Sequence, residues 1–337
     1  MENKNNYSGE EEPQKGRFEE ENFHEENLQE DETSGFVPEG EPEGPRPKMS
    51  PISAAFIGLI GVFILYQMGG SLLTILIFGF NLKDADITAM RLLTTAGQLL
   101  FILLPAIILT KAIYTNVTTH IRIKPVNAQE VVIFTLGLFI LTSLLQSYLY
   151  IQNAAIIKLA EAYPAINGIK SYIDKIDKVV ESSYDTLLTS KSILESLLIV
   201  FVVAVVPAIC EEFFFRGYVQ RSFERKLRPF SAALITAFFF GLYHFHPYQI
   251  VPLTALGLYF GFAAYMSETI FLPMILHFLN NLIAVVMFFV YGSDDVSLPQ
   301  AVPASDLRFS VMVFLSLVVL FTFFMIYVNR IYYKKSN

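Results

Sequence analysis

The chain has 337 residues, 53% of them apolar, with 31 Phe, 17 Tyr and a mean hydropathy of +0.48, more apolar surface than a water-soluble domain of this size can hide, so the expected solvent is a bilayer. Its net charge of −7 is set by residues 1–50, which hold 15 acidic and 5 basic side chains and leave the other 287 residues at +3. A single cysteine, Cys210, excludes a disulfide framework and a thiolate metal cluster.

Residues 1–50 are rich in Glu, Asn, Pro and Gly and cannot bury enough apolar surface to offset the entropy of ordering, so they read as a disordered acidic cytoplasmic tail. No short apolar run follows a basic start, and no cleavable signal peptide is expected. A spanning helix needs about 20 mostly apolar residues. Eight stretches qualify, at roughly 53–80, 91–113, 130–152, 192–220, 231–245, 250–267, 269–291 and 309–329, the fifth and sixth being short. A bilayer requires backbone polar groups to be satisfied within each segment, so the fold class is all-α, a polytopic membrane helix bundle.

Flanking charge orients the spans. Arg46 and Lys48, then Lys111, Arg122 and Lys124, then Arg221, Arg225, Lys226 and Arg228, and finally Arg330, Lys334 and Lys335 fall on one side, which the positive-inside tendency makes cytoplasmic. Both termini of a multi-pass cell-membrane protein are then cytoplasmic. Asp84, Asp86, Asp294, Asp295 and Asp306 fall on the other side, with Lys83 and the charged segment 153–191 the exceptions to the basic asymmetry. In that segment Ile169, Ile173, Ile176 and Val180 recur at helical spacing, which predicts an extracytoplasmic amphipathic helix on the membrane surface, either a lid or a plain hairpin. The organisation expected is tail 1–50, N-terminal spans 51–152, segment 153–191, a core at 192–291, and a last loop, span and basic end at 292–337. Gly257 and Gly261 have the small-xxx-small spacing of close helix contact.

Ionisable groups inside spans cost roughly 2.5–3.5 kcal/mol at a helix centre unless paired or wet. Here they cluster: Glu211, Glu212 and Arg216 on the fourth span, His244 at the end of the fifth, His277 with Asn280 and Asn281 in the seventh. Residues four apart share a helix face, so Glu212 and Arg216 pair and Glu211 is left free for chemistry. His277 and Asn281 share a face one turn apart, and Asn280 points off it. Counted at about 1.5 Å per residue from the cytosolic ends, three helices bring these groups to similar depth. Cys210, with no His one turn away, reads as a small buried residue rather than a nucleophile, and His246 as an interfacial residue outside the site.

Three segments, Glu211-Glu212-Phe213-Phe214-Phe215-Arg216, Phe240-Gly241-Leu242-Tyr243-His244 and His277-Phe278-Leu279-Asn280-Asn281, together resemble the signature of the CAAX-protease and bacteriocin-processing membrane protease family, also called the Abi family, over about residues 190–290. The resemblance implies an intramembrane endopeptidase acting on membrane-associated or lipidated peptides or proteins, its partners being that substrate and membrane lipids, with no nucleic acid. It implies Glu211 as the catalytic carboxylate, His244 as the residue that helps it hold and activate water, His277 with Asn281 at the oxyanion, and Glu212 with Arg216 as a structural pair. The family mechanism has been described both as metal-dependent and as a metal-free glutamate protease. Glu211, His244 and His277 would make a zinc set with one position open for water; the role of Asn281 as an oxyanion donor tilts the reading to the metal-free form.

Other protease chemistries fit less well. There is no His-Glu-x-x-His and no Gly-x-Gly-Asp, and Ser267 has no partner His at its depth. A transporter with a buried proton relay predicts an inverted repeat, and the two halves show none. A catalytically silent scaffold of the same fold is distinguished from the enzyme by whether its effect survives loss of Glu211.

Overall fold

The computed structural model describes residues 47–80, 85–296 and 304–336, all within one compact unit. The expected disordered tail lies, up to residue 46, outside the described residues. Among them the backbone forms helices and no strand: an all-α bundle, as the sequence predicts. With helices that continue through a π turn taken as one, the order is α1 Pro51–Phe78, α2 Ile87–Tyr114, α3 Val117–Ile121, α4 Ala128–Ala162, α5 Pro164–Leu188, α6 Ile193–Glu224, α7 Pro229–Tyr243, α8 Ile250–Ser267, α9 Phe271–Val296 and α10 Ala304–Ser336.

Local chemistry explains where these helices begin and end. Asp86 starts α2 by accepting from Ala89 N at 2.8 Å, and Asn127 starts α4 by accepting from Gln129 N at 2.9 Å. Ser192 accepts from Glu195 N at 3.3 Å to open α6, the Ser-x-x-Glu capping pattern. Pro51, Pro164 and Pro229 occupy first-turn positions, where the missing N–H has no intrahelical partner to lose. Gly79 closes α1 at φ 74°, backbone that glycine adopts without a Cβ penalty.

Seven of the helices are long and apolar enough to cross a membrane. Large apolar side chains cover their outer surfaces, among them Leu76, Leu194, Val290 and Phe323, and bilayer lipid is the solvent that accommodates them. The protein is multi-pass. The fifth expected span, α7, has 15 residues and reaches only about 22 Å. It stops at Tyr243 because Phe245 turns the chain at φ 51° and Pro247 follows. The third span runs ten residues beyond its expected end, to Ala162, before the break at Tyr163-Pro164.

Two apolar cores flank the middle of the bundle. One joins α1, α2, α6 and α7 through Leu59, Ile102, Phe214, Tyr218 and Phe240; the other joins α4, α8, α9 and α10 through Phe134, Leu138, Phe260, Leu276 and Val328. The functional candidates lie where they meet. Arg216 stands there, 4.6 Å from the centre of the Phe240 ring and 5.5 Å from that of Phe260, so one guanidinium touches an aromatic from each core.

Three π-helical stretches border the same region: Leu99–Leu103 in α2, and Phe201–Val205 and Phe213–Gln220 in α6. The first two each lead into a proline, Pro105 and Pro207. Proline has no N–H for the carbonyl four residues earlier and its ring crowds that carbonyl. Widening the turn relieves the crowding, and such widened turns are frequent at functional sites.

Helix α5 has no buried residue and is tied down by polar contacts. Tyr248 donates its hydroxyl to Asp174 at 2.6 Å, and His246 Nδ1 lies 2.8 Å from Asp177 Oδ1. At its C-terminal end Arg91, almost wholly buried, donates to the carbonyl of Leu187 at 2.9 Å and to that of Thr189.

Candidate active site

Consecutive residues diverge by about 100° around a helix, and α6 uses this to separate two carboxylates. Glu212 is fully buried and accepts from Arg216 Nη1 at 2.9 Å, the i,i+4 pair the spacing predicts. Arg216 also donates from Nη2 to the carbonyl of Gly257 at 2.8 Å. The same Glu212 oxygen accepts from His277 Nδ1 at 2.8 Å, a contact between α6 and α9 that the sequence reading had not assigned. His277 is buried, stacked on Phe260 with ring centres 5.4 Å apart and edge-on to Phe240 at 5.8 Å. With Nδ1–H committed to Glu212, Nε2 is the ring atom left for chemistry.

Glu211 is only half-buried. Its carboxylate accepts from Gln98 Nε2 on α2 at 3.2 Å and acts electrostatically on His244, on Arg216 and on Tyr184 of α5. His244 in turn lies within electrostatic range of His277. His244 donates Nδ1–H to the carbonyl of Phe240, one turn earlier, at 2.8 Å; this fixes a tautomer in which Nε2 carries the lone pair. The next residue, Phe245, holds φ 51°, a conformation costing about 1–3 kcal/mol for a bulky side chain and common beside functional groups.

Asn281 donates from Nδ2 to the carbonyl of Val203 at 3.1 Å and accepts from Asn280 Nδ2 at 3.2 Å. Val203 is four residues before Pro207, which has no N–H to give that carbonyl, and the side chain of Asn281 takes the place. An amide nitrogen has two hydrogens, so one remains for a ligand. Asn281 and His244 are both half-buried. The candidates thus sort into an enclosed group, Glu212, Arg216 and His277, that sets geometry, and a more open group, Glu211, His244 and Asn281, that can meet a substrate.

Among the described residues no three His, Cys, Asp or Glu side chains gather as a group able to hold a metal ion. Glu211, His244 and His277 share one electrostatic neighbourhood without forming such a set.

Sequence reasoning passed over Gln98. Attention to ionisable groups hid an uncharged amide in the apolar run of α2, although a polar side chain among Leu99, Leu100, Phe101 and Ile102 is itself a signal in a spanning helix.

A membrane-embedded all-α bundle with two neighbouring carboxylates, two histidines and an asparagine on three helices defines a class, that of multi-pass proteins equipped for acid–base chemistry at the membrane. Residues 193–283 match the family model described as type II CAAX prenyl endopeptidase Rce1-like, in agreement with the family the three motifs resemble. The match takes in Glu211, Glu212, Arg216, His244, His277 and Asn281, and leaves Gln98 outside. No curated protein and no solved structure matched the chain.

Proposed function

We propose that the protein is an intramembrane endopeptidase that hydrolyses peptide bonds of membrane-associated or lipidated peptides or proteins, using a water activated by Glu211. It works in the cell membrane with both termini cytoplasmic, the orientation its flanking Lys and Arg residues favour. The observation that carries this reading is the division of labour on α6. Glu212 is spent on Arg216 and His277, while Glu211, one residue earlier, is half-buried and within electrostatic range of His244.

The steps follow from donors and acceptors. Water, held between the Glu211 carboxylate and His244 Nε2, gives one proton to Glu211 as its oxygen attacks the scissile carbonyl carbon. The charge that develops on the carbonyl oxygen meets the second N–H of Asn281, with His277 Nε2 beside it when that nitrogen is protonated. Collapse of the tetrahedral species breaks the C–N bond. The proton on Glu211 passes to the leaving amine, and the carboxylate is restored.

The test is cleavage of a membrane-reporter peptide library by protein purified in detergent, with and without chelator, beside metal analysis and the variants Glu211→Gln and His244→Ala. Chelator-resistant cleavage lost in Glu211→Gln is expected. Stoichiometric zinc with chelator-sensitive cleavage would replace the metal-free step by a metal-assisted one. Full activity in Glu211→Gln would falsify the assignment of the base.

A further inference from the structure

Gln98 lies 113 residues before Glu211, outside the matched segment, on a different helix, and is buried to 6% exposure. Its Nε2–H donates to Glu211 Oε1 at 3.2 Å. The ring of Tyr66 of α1 packs beside this turn of α2, where a Cβ on Gly97 would sit 3.7 Å from it. The other end of the amide is different: Gln98 Oε1 is buried and has no hydrogen-bond partner among the described residues. A buried polar atom left this way is costly, and in native structures it calls for a role. The π turn Leu99–Leu103 begins at the very next residue, so the amide sits on the last regular turn before the backbone widens beside Glu211.

We propose that Gln98 is a positioning residue for Glu211, supplied by the N-terminal helices to the C-terminal core. Its Nε2–H occupies Glu211 Oε1 and leaves Oε2 as the oxygen that takes the proton of the attacking water, whose second hydrogen goes to His244 Nε2. The amide therefore fixes which oxygen of the base meets the nucleophile. The inference deepens the protease reading and rests on it for the water. The hold on Glu211 rests on geometry alone.

Gln98→Met keeps length and volume and removes both polar atoms. A residue that only packs tolerates that exchange, and the loss of an unpartnered buried oxygen leaves the melting temperature unchanged or higher. A positioning residue does not tolerate it: kcat is expected to fall about tenfold to hundredfold, the scale of a misaligned reacting group, with KM within about twofold. Gln98→Glu, which restores an acceptor and not the donor, should not recover kcat. A second measurement needs no substrate. Infrared difference spectra, with Glu211→Gln identifying the carboxylate bands, should show the Glu211 stretch displaced in Gln98→Met. An unchanged band, or kcat within threefold of wild type in Gln98→Met, overturns the proposal. No cleavage by folded wild-type protein would instead sink the protease reading, with the displaced band still standing as proof of the contact.

Discussion

Glu211 and Glu212 are adjacent in the chain and opposite in surroundings, and their substitutions should separate cleanly. Glu212 holds Arg216 and His277 with one oxygen in a fully buried position. Removing it leaves a guanidinium and an imidazole without their shared acceptor, and breaking a buried pair from one side costs about 3–5 kcal/mol. Glu212→Ala should therefore lower the melting temperature in detergent markedly and abolish cleavage as a consequence. Glu211→Gln keeps the shape and the neighbour contacts of a half-buried group, so it should abolish cleavage with the melting temperature nearly unchanged. Equal thermal losses in the two variants would contradict the division of labour. The i,i+4 spacing made the Glu212–Arg216 pair legible in the sequence. The contact with His277 was not, because helical periodicity says nothing about which residue 65 positions away will face a given carboxylate.

Helix α6 carries the site, and its proline-linked π turn at Phe201–Val205 and its contact with α8 decide whether the site is aligned. Pro207 denies an N–H to the Val203 carbonyl, and Asn281 donates there instead. Pro207→Ala supplies a competing backbone donor and removes a helix-disfavouring ring. The expected outcome is a protein at least as heat-stable as wild type with kcat down about tenfold, the consequence of an unanchored oxyanion donor. A stable variant with full kcat would show that Asn281 needs no anchor. On α8, Gly257 and Gly261 give their carbonyls to Arg216 Nη2 and Gln220 Nε2 of α6, at 2.8 and 3.0 Å. A Cβ on Gly261 would lie 2.6 Å from Gln220 Oε1 and 3.2 Å from Ala233 Cβ. Gly261→Val should cost about 1–3 kcal/mol through overpacking, read as a lower melting temperature. The small-xxx-small spacing was visible in the sequence as a packing signal; that the same glycines leave room for polar hydrogen bonds into the site depends on the partner helix and was not.

Across the whole molecule, α5 ties the site to its surroundings. It meets the turn after His244 through Asp174–Tyr248 and Asp177–His246, and Tyr184 stacks on His246 with ring centres 6.3 Å apart while lying within electrostatic range of Glu211. Its apolar spacing marked it as a helix, but a surface helix shows in its own sequence only that it is amphipathic, not what its polar face grips. That grip should depend on pH. Burial alone would raise the Asp174 carboxyl; hydrogen bonds from Lys170 and Tyr248, with the charges of Lys170 and Lys178, outweigh it and hold the group below its ordinary value of 3.8. A carboxylate depressed in the folded state contributes stability that is present above that ordinary value and is lost as pH falls through the lower one. Glu181 is pushed upward by burial and by Asp177, so its protonation in acid relieves repulsion and works the other way, without touching Tyr248. The docked state of α5 should then persist at neutral pH and loosen below about pH 4, the range in which a carboxylate takes up its proton. Spin labels at Ser183 and Val251 would read it as a broadened distance distribution in acid, while a label pair within the bundle stays fixed. Tyr248→Phe removes one of the two hydrogen bonds and should move the loosening to higher pH. A distribution that stays narrow through pH 3 in both proteins would mean that the apolar face of α5, not its carboxylates, keeps it in place.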